Sequence, residues 1–185
     1  AIDWLRQKGI MKAGAKASRA ATEGAVFSYI HMGGKIGVMV EINSETDFAA
    51  KNDLFRTLGN DIAMHIAAAA PLYVRREEVD ASHLDRERDV QKAQLKEQGK
   101  PEAMWDKILT GKIDKFYKDV CLLEQVFVKD PEGKKTVNDI VTDAVAKIGE
   151  NIQVRRFARF VLGEGMEKKT SDFAAEVAAT AGIAK

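Results

Sequence analysis

The sequence predicts an α+β fold: a small antiparallel sheet of about three strands with helices on one face, and a projecting helical hairpin. Three observations predict it. Two β-rich runs flank a Gly-Gly pair early in the chain, stretches of helical period follow, and a third β-rich run returns only near the end. With 185 residues the chain has enough apolar material to bury a core without disulfides or metal.

Taken in order, "AIDWLRQKG" reads as the last turns of a helix, with Ile2 and Leu5 on one face and Gly9 as its stop, so a segment is expected upstream. "IMKAGAKASRAATEG" reads as a short helix or tether ending at Gly24. Strands are predicted over Ala25 to His31 and Lys35 to Ile42, joined through Gly33 and Gly34, which permit the positive backbone angles of a tight turn. From Asp47 the period becomes helical, and Phe55, Leu58, Ile62 and Ile66 keep one face apolar until Pro71. A charged helix is expected from Ser82 to Gly99. A second opens at Pro101, with Trp105, Ile108, Leu109, Phe116 and Val120 along one side.

"LLEQVFVKDPEGKKT" is a connector with a Pro-Glu-Gly turn. Thr136 and Asp139 have capping-box spacing, and Val137, Ile140, Val141, Ala144, Val145 and Ile148 form the apolar stripe of a helix ending at Gly149. In "NIQVRRFARFVLG" the alternation slips at Arg155 and Arg156, which predicts a bulge or an exposed edge. A final helix is expected from about Asp172. The resulting division is 1–23 as tether, 24–81 as hairpin and first core helix, 82–123 as helical insertion, 124–165 as core helix and third strand, and 166–185 as C-terminal helix.

Charge and composition exclude several classes. Lys and Arg number 29 against 28 Asp and Glu, a net +1, so no global field for nucleic acid or anionic membrane is expected. No apolar run reaches the roughly 20 residues of a membrane span, no signal-peptide pattern opens the chain, and lone Cys121 suits a reducing compartment. A cytoplasmic or organelle-matrix location is expected. "GGKIG" lacks the spacer and Lys-Ser/Thr of a phosphate loop, so no direct nucleotide binding is expected. His31, His65 and His83 lack metal-ligand spacing, and no nucleophile motif appears, so no metal, cofactor or enzymatic reaction is expected.

Two near copies stand out: "INSETDFAAKND" over Ile42 to Asp53, and "KTSDFAAEVA" over Lys169 to Ala178. Thr46 or Asp47, and Ser171 or Asp172, suit N-caps. Phe173 has Val177 one turn on and continues a core stripe. Phe48 has Lys51 and Asn52 there, which leaves it either as core or as an aromatic presented outward for a partner. Arg155, Arg156 and Arg159 could instead contact phosphates in a ribosome- or RNA-associated module.

Several stretches then carry a family resemblance. "KASRAATEG", "YIHMGGKIGVMVEINSETDFAAKND", "IAMHIAA", "VAKIGENIQVRRF" and "GEGMEKKTSDFAAEVAA" resemble elongation factor Ts, in that order, and "GKPEAMWDKILTGKIDKF" is similar to its helical insertion. The hairpin, corner and "AKIGEN" each occur once, so the chain resembles the short form with a single core subdomain. It also resembles a chain lacking most of the family's N-terminal helical domain. The resemblance implies guanine-nucleotide exchange on elongation factor Tu, with binding to its GDP-bound and nucleotide-free forms. It implies partner contacts at Thr46, Asp47 and Phe48 beside the partner's magnesium site, with His31, Ile148 and Lys16 on the same family surface. Ala49 stands where the family usually has Val. An edge strand near Arg155 could pair with its twin in a homodimer.

Overall fold

Two strands, β1 (Glu23–Ile30) and β2 (Ile36–Ser44), form an antiparallel hairpin in register Glu23↔Ser44 through Ile30↔Gly37. Its turn uses left-handed backbone at Gly33 (φ 85°) and Gly34 (φ 68°), as the Gly-Gly pair predicts. β3 (Ile152–Val161) pairs antiparallel with the far side of β2, giving the order β1-β2-β3 with β1 and β3 as edges. The expected bulge is present: Glu41 faces Arg156 and Ile42 faces Val154, so Arg155 is the extra residue. The structure, a computed structural model, describes residue 11 and residues 13–166.

Among those residues five α-helices accompany the sheet, and the fold is α+β. Alternation sends Phe27, Val38, Val40, Ile42, Ile152 and Val154 to the inner face. There they meet α2 (Asp53–Ala69), through Phe55, Leu58, Ile62 and Ile66, and α5 (Val137–Ile148), through Val137, Val141, Ala144 and Val145. Each such side chain contributes roughly 1.5–3 kcal/mol by leaving water, so this seam carries most of the fold's stability. Among the described residues no helix covers the outer face, where Val26, Ile30, Met39 and Phe160 are all exposed.

The helix expected to run unbroken from Asp47 is in fact two. A single turn, α1 (Asp47–Ala50), stops at Lys51, and α2 starts afresh at an N-cap, Asn52, whose extended backbone breaks the helix while its Oδ1 accepts a bond from Leu54 N–H at 2.8 Å. The apolar stripe of α2 begins only at Phe55, so nothing in the core requires α1 to be collinear with it. α3 (Ala81–Glu97) and α4 (Trp105–Val120) form the expected helical pair, joined where the His83 ring meets the edge of Phe116 at 5.2 Å. The segments 1–10 and 167–185 hold the predicted opening and closing helices and Phe173; these lie outside the described residues.

Candidate functional site

The end of β2 runs directly into α1, and the corner between them is held from several sides. Thr46 is the N-cap of α1, its Oγ1 accepting from Ala49 N–H at 3.3 Å. That hydroxyl donates in turn to Glu150 Oε1 at 2.7 Å, and the Thr46 amide donates to Glu150 Oε2 at 3.0 Å. Ser44, fully buried, donates its hydroxyl to Thr46 O at 2.9 Å. A second carboxylate crosses the other way: Glu45 Oε1 accepts from Asn151 N–H at 2.6 Å. Ala49, 5% exposed, anchors the underside of the turn.

On this fixed turn Asp47 and Phe48 point outward. Phe48 is 79% exposed, so it is not a core residue of the described fold. Its ring has Lys51 Nζ 5.7 Å from the centroid, and the same ammonium lies 2.7 Å from Asp47 Oδ2. An exposed pair of this kind contributes at most about 1 kcal/mol, so both groups remain free to exchange partners. Ile148, the last residue of α5, is half-buried against the core, and Gly149 ends that helix in a left-handed conformation (φ 87°). Lys16 lies at this same end, its ammonium donating to the Gly149 carbonyl. The interaction is favourable because that oxygen belongs to the negative end of α5. Asn151 Nδ2 extends the stitching, donating to the Arg19 carbonyl at 2.7 Å.

Five of the six sequence-predicted site residues therefore gather at one end: Thr46, Asp47 and Phe48 at the corner, and Ile148 and Lys16 around the α5–β3 turn that braces it. His31 does not join them. It sits at the other end of the hairpin, exposed, with its Nδ1 3.1 Å from the Tyr29 hydroxyl. The nine residues of β2 separate the two ends, roughly 30 Å at about 3.3 Å per residue. Glu150 and Glu45 escaped the sequence reading. Glu150 did carry a signal: a carboxylate just past a helix C-terminus opposes the helix dipole and implies a dedicated donor elsewhere.

The three arginines do not form one surface. Arg155 is the exposed bulge residue, Arg156 lies across from Glu41 at 2.7 Å on the outer face, and Arg159 reaches inward, its Nη2 donating to Ala67 O at 3.2 Å. The histidines also have separate surroundings. His65 is fully buried, its Nε2 3.0 Å from Gln125 Oε1 and its Nδ1 accepting from Val128 N–H at 3.3 Å. His83 lies 2.9 Å from the Tyr73 hydroxyl. Among the described residues no cluster of His, Cys, Asp or Glu could hold a metal ion, and no helix is long and apolar enough to cross a membrane.

Fold and site together define a class: an α+β domain that presents a clamped, outward-facing aromatic corner. The family model described as elongation factor TS matches residues 11–134. Curated relatives extend the match. Elongation factor Ts of Geotalea daltonii is 63% identical over 182 residues, covering 98% of this chain and 83% of its own length. That of Geobacter sulfurreducens is 62% identical over 183 residues, covering 99% and 84%. That of Anaeromyxobacter sp. strain K is 61% identical over 181 residues, covering 98% and 82%. The chain belongs to the elongation factor Ts family.

Proposed function

We propose that this chain is a guanine-nucleotide exchange factor for elongation factor Tu, acting by insertion of the Thr46–Asp47–Phe48 corner beside the magnesium and phosphate site of that GTPase. Family membership already makes it a translation elongation factor, with a part in protein biosynthesis. The single observation that carries the finer reading is Phe48: a large ring, 79% exposed, on a one-turn helix that packs through Ala49 and Ala50. An aromatic held rigidly in solvent contributes little to its own fold and is pre-organised for a pocket on another molecule.

The physical action is coupling. A ring wedged between helices of the GTPase moves the amides and the metal away from the diphosphate, and each charge-assisted bond lost there is worth on the order of 1.5–3 kcal/mol. Reciprocity follows: whatever factor the chain takes from GDP affinity, GDP takes from the chain's affinity, so the complex passes from the GDP-bound to the nucleotide-free form and GTP resolves it. No covalent bond is made or broken, so the chain is not an enzyme in the chemical sense and uses no cofactor. Asp47 supplies polar contacts to the partner's helix ends, and Ile148 adds apolar area beside it. Lys16 flanks the same patch. His31 belongs to a second contact, because no single small patch spans the length of β2. The site of action is the cytoplasm, or an organelle matrix in which translation runs.

Stopped-flow release of a fluorescent GDP from elongation factor Tu tests the reading. Phe48→Ala is expected to slow stimulated release at least tenfold with an unchanged melting curve, a loss matching removal of an interface anchor worth about 2 kcal/mol. Release at the parental rate sinks the wedge. The self-association part of the proposal is a homodimer through the free edge of β3 near Arg155, with Val26, Ile30, Met39 and Phe160 supplying apolar area on the adjoining face. A monomer in sedimentation equilibrium at micromolar concentration rules it out.

A further inference from the structure

Among the described residues two threonines start helices, and they complete their caps differently. At α5 the box is local: Thr136 Oγ1 accepts from Asp139 N–H at 3.2 Å, and Asp139 Oδ2 accepts from Thr136 N–H at 2.9 Å. At α1 the third helical position is Ala49, which has no side-chain acceptor, so half the box is missing from the local sequence. Glu150 supplies it from 104 residues away, taking the Thr46 N–H on one oxygen and the Thr46 hydroxyl on the other.

That hydroxyl then has its proton committed to Glu150 and a lone pair committed to Ala49, which fixes its rotation. A four-residue helix has no stability of its own, because nucleation costs more than one turn returns. Its orientation therefore comes from what grips it. Ala49 and Ala50 hold it from below; at the N-terminus the grip is Glu150, together with the Ser44 hydroxyl on the Thr46 carbonyl.

Resting on the proposed wedge, we infer that Glu150 is a positioning residue for nucleotide exchange: its carboxylate completes the cap of α1 from another segment and thereby aims the Phe48 ring. Phe48 lacks a core contact that would aim it otherwise, so a tilt of α1 is transmitted to the ring undamped. Glu150→Gln keeps the size but removes the charge and one acceptor: with its oxygen on the Thr46 N–H, its amide nitrogen faces the Thr46 hydroxyl, whose proton loses its acceptor. The reciprocal bond from Asn151 N–H to Glu45 remains in place.

The test is a double-mutant cycle on the full chain, read as the efficiency (kcat/KM) of stimulated fluorescent-GDP release from elongation factor Tu. Glu150→Gln is expected to lower it about tenfold, the size of one charge-assisted hydrogen bond, with the thermal transition kept cooperative. In the Phe48→Ala background the same change is expected to have less than about a twofold effect, because the ring it aims is gone. A purely structural role does not vanish in this way; it adds. Should Glu150→Gln lose its cooperative melt, Glu150→Asp, which keeps the charge but shortens its reach to Thr46, replaces it in the cycle.

Full additivity, or a parental rate for Glu150→Gln while Phe48→Ala is slow, overturns the role of Glu150 and leaves the wedge standing. A parental rate for Phe48→Ala overturns the wedge and the positioning role together.

Discussion

Phe48 and Phe55 stand seven residues apart, one on each side of the Asn52 break, and their surroundings are opposite. Phe55 is fully buried, its ring 5.7 Å from that of Phe27, under the helix that covers the sheet. Phe48 is 79% exposed on a turn too short to form a core. The same side chain serves stability at one position and is available for recognition at the other. What separates them is a cap: Asn52 ends the first turn and starts a second helix on a new axis, so the stripe that buries Phe55 never reaches back to Phe48.

The largest effect expected on this contrast comes from Phe55→Ala, a cavity at the centre of the seam that should cost about 3–5 kcal/mol in urea unfolding and reduce exchange only through loss of folded protein. Next is Gly59→Ala. A Cβ at that position would lie 2.3 Å from the Phe27 ring, because α2 approaches β1 at the glycine, and forcing them apart should cost about 1–3 kcal/mol. Asn52→Ala removes the cap between the two phenylalanines and should cost about 1 kcal/mol in the same measurement. If it also slows exchange, the break helps set the direction of Phe48.

A pH titration of the melting temperature, compared between the parent and His65→Gln, probes the buried side. Burial holds the imidazole of His65 below its ordinary value of 6.5, with the Gln125 bond opposing the shift. The unfolded chain therefore binds a proton first, and stability falls as pH drops below about 6.5 until the folded-state value is reached. His65→Gln should flatten that slope. The smallest expected change is for Phe48→Ala, whose unfolding midpoint should match the parent within about 0.5 kcal/mol, as for a surface substitution away from structural features. A larger shift would mean that the ring packs against its own molecule and would end the contrast.

Much of this was legible in the sequence wherever the cause was local. Gly33 and Gly34 marked the hairpin, Thr136 and Asp139 the start of α5, and the slipped alternation at Arg155 the bulge, because each signal lies within a few residues of its effect. The Asn52 break was missed because the stripe from Phe55 onward extrapolates smoothly backward through a polar segment. Phe48 could not be assigned from Lys51 and Asn52 alone, since polar neighbours permit either fate. The partner of Glu150 was illegible for a different reason: its bond to Thr46 closes a loop of 104 residues, and nothing near either end names the other. The weak apolar support around Phe48 could be flagged from sequence, while its exposure and the clamp that sets its geometry needed the fold.

The stitching of Lys16 to Gly149, and of Asn151 to Arg19, has a consequence for avidity. It pins the tether, at Lys16 and Arg19, beside the turn that braces the aromatic corner. Were Phe48 to seat in a partner as proposed, the basic pair Lys16 and Arg19 would meet the same surface at high effective concentration, and a weak second grip there would multiply the first at little further entropic cost.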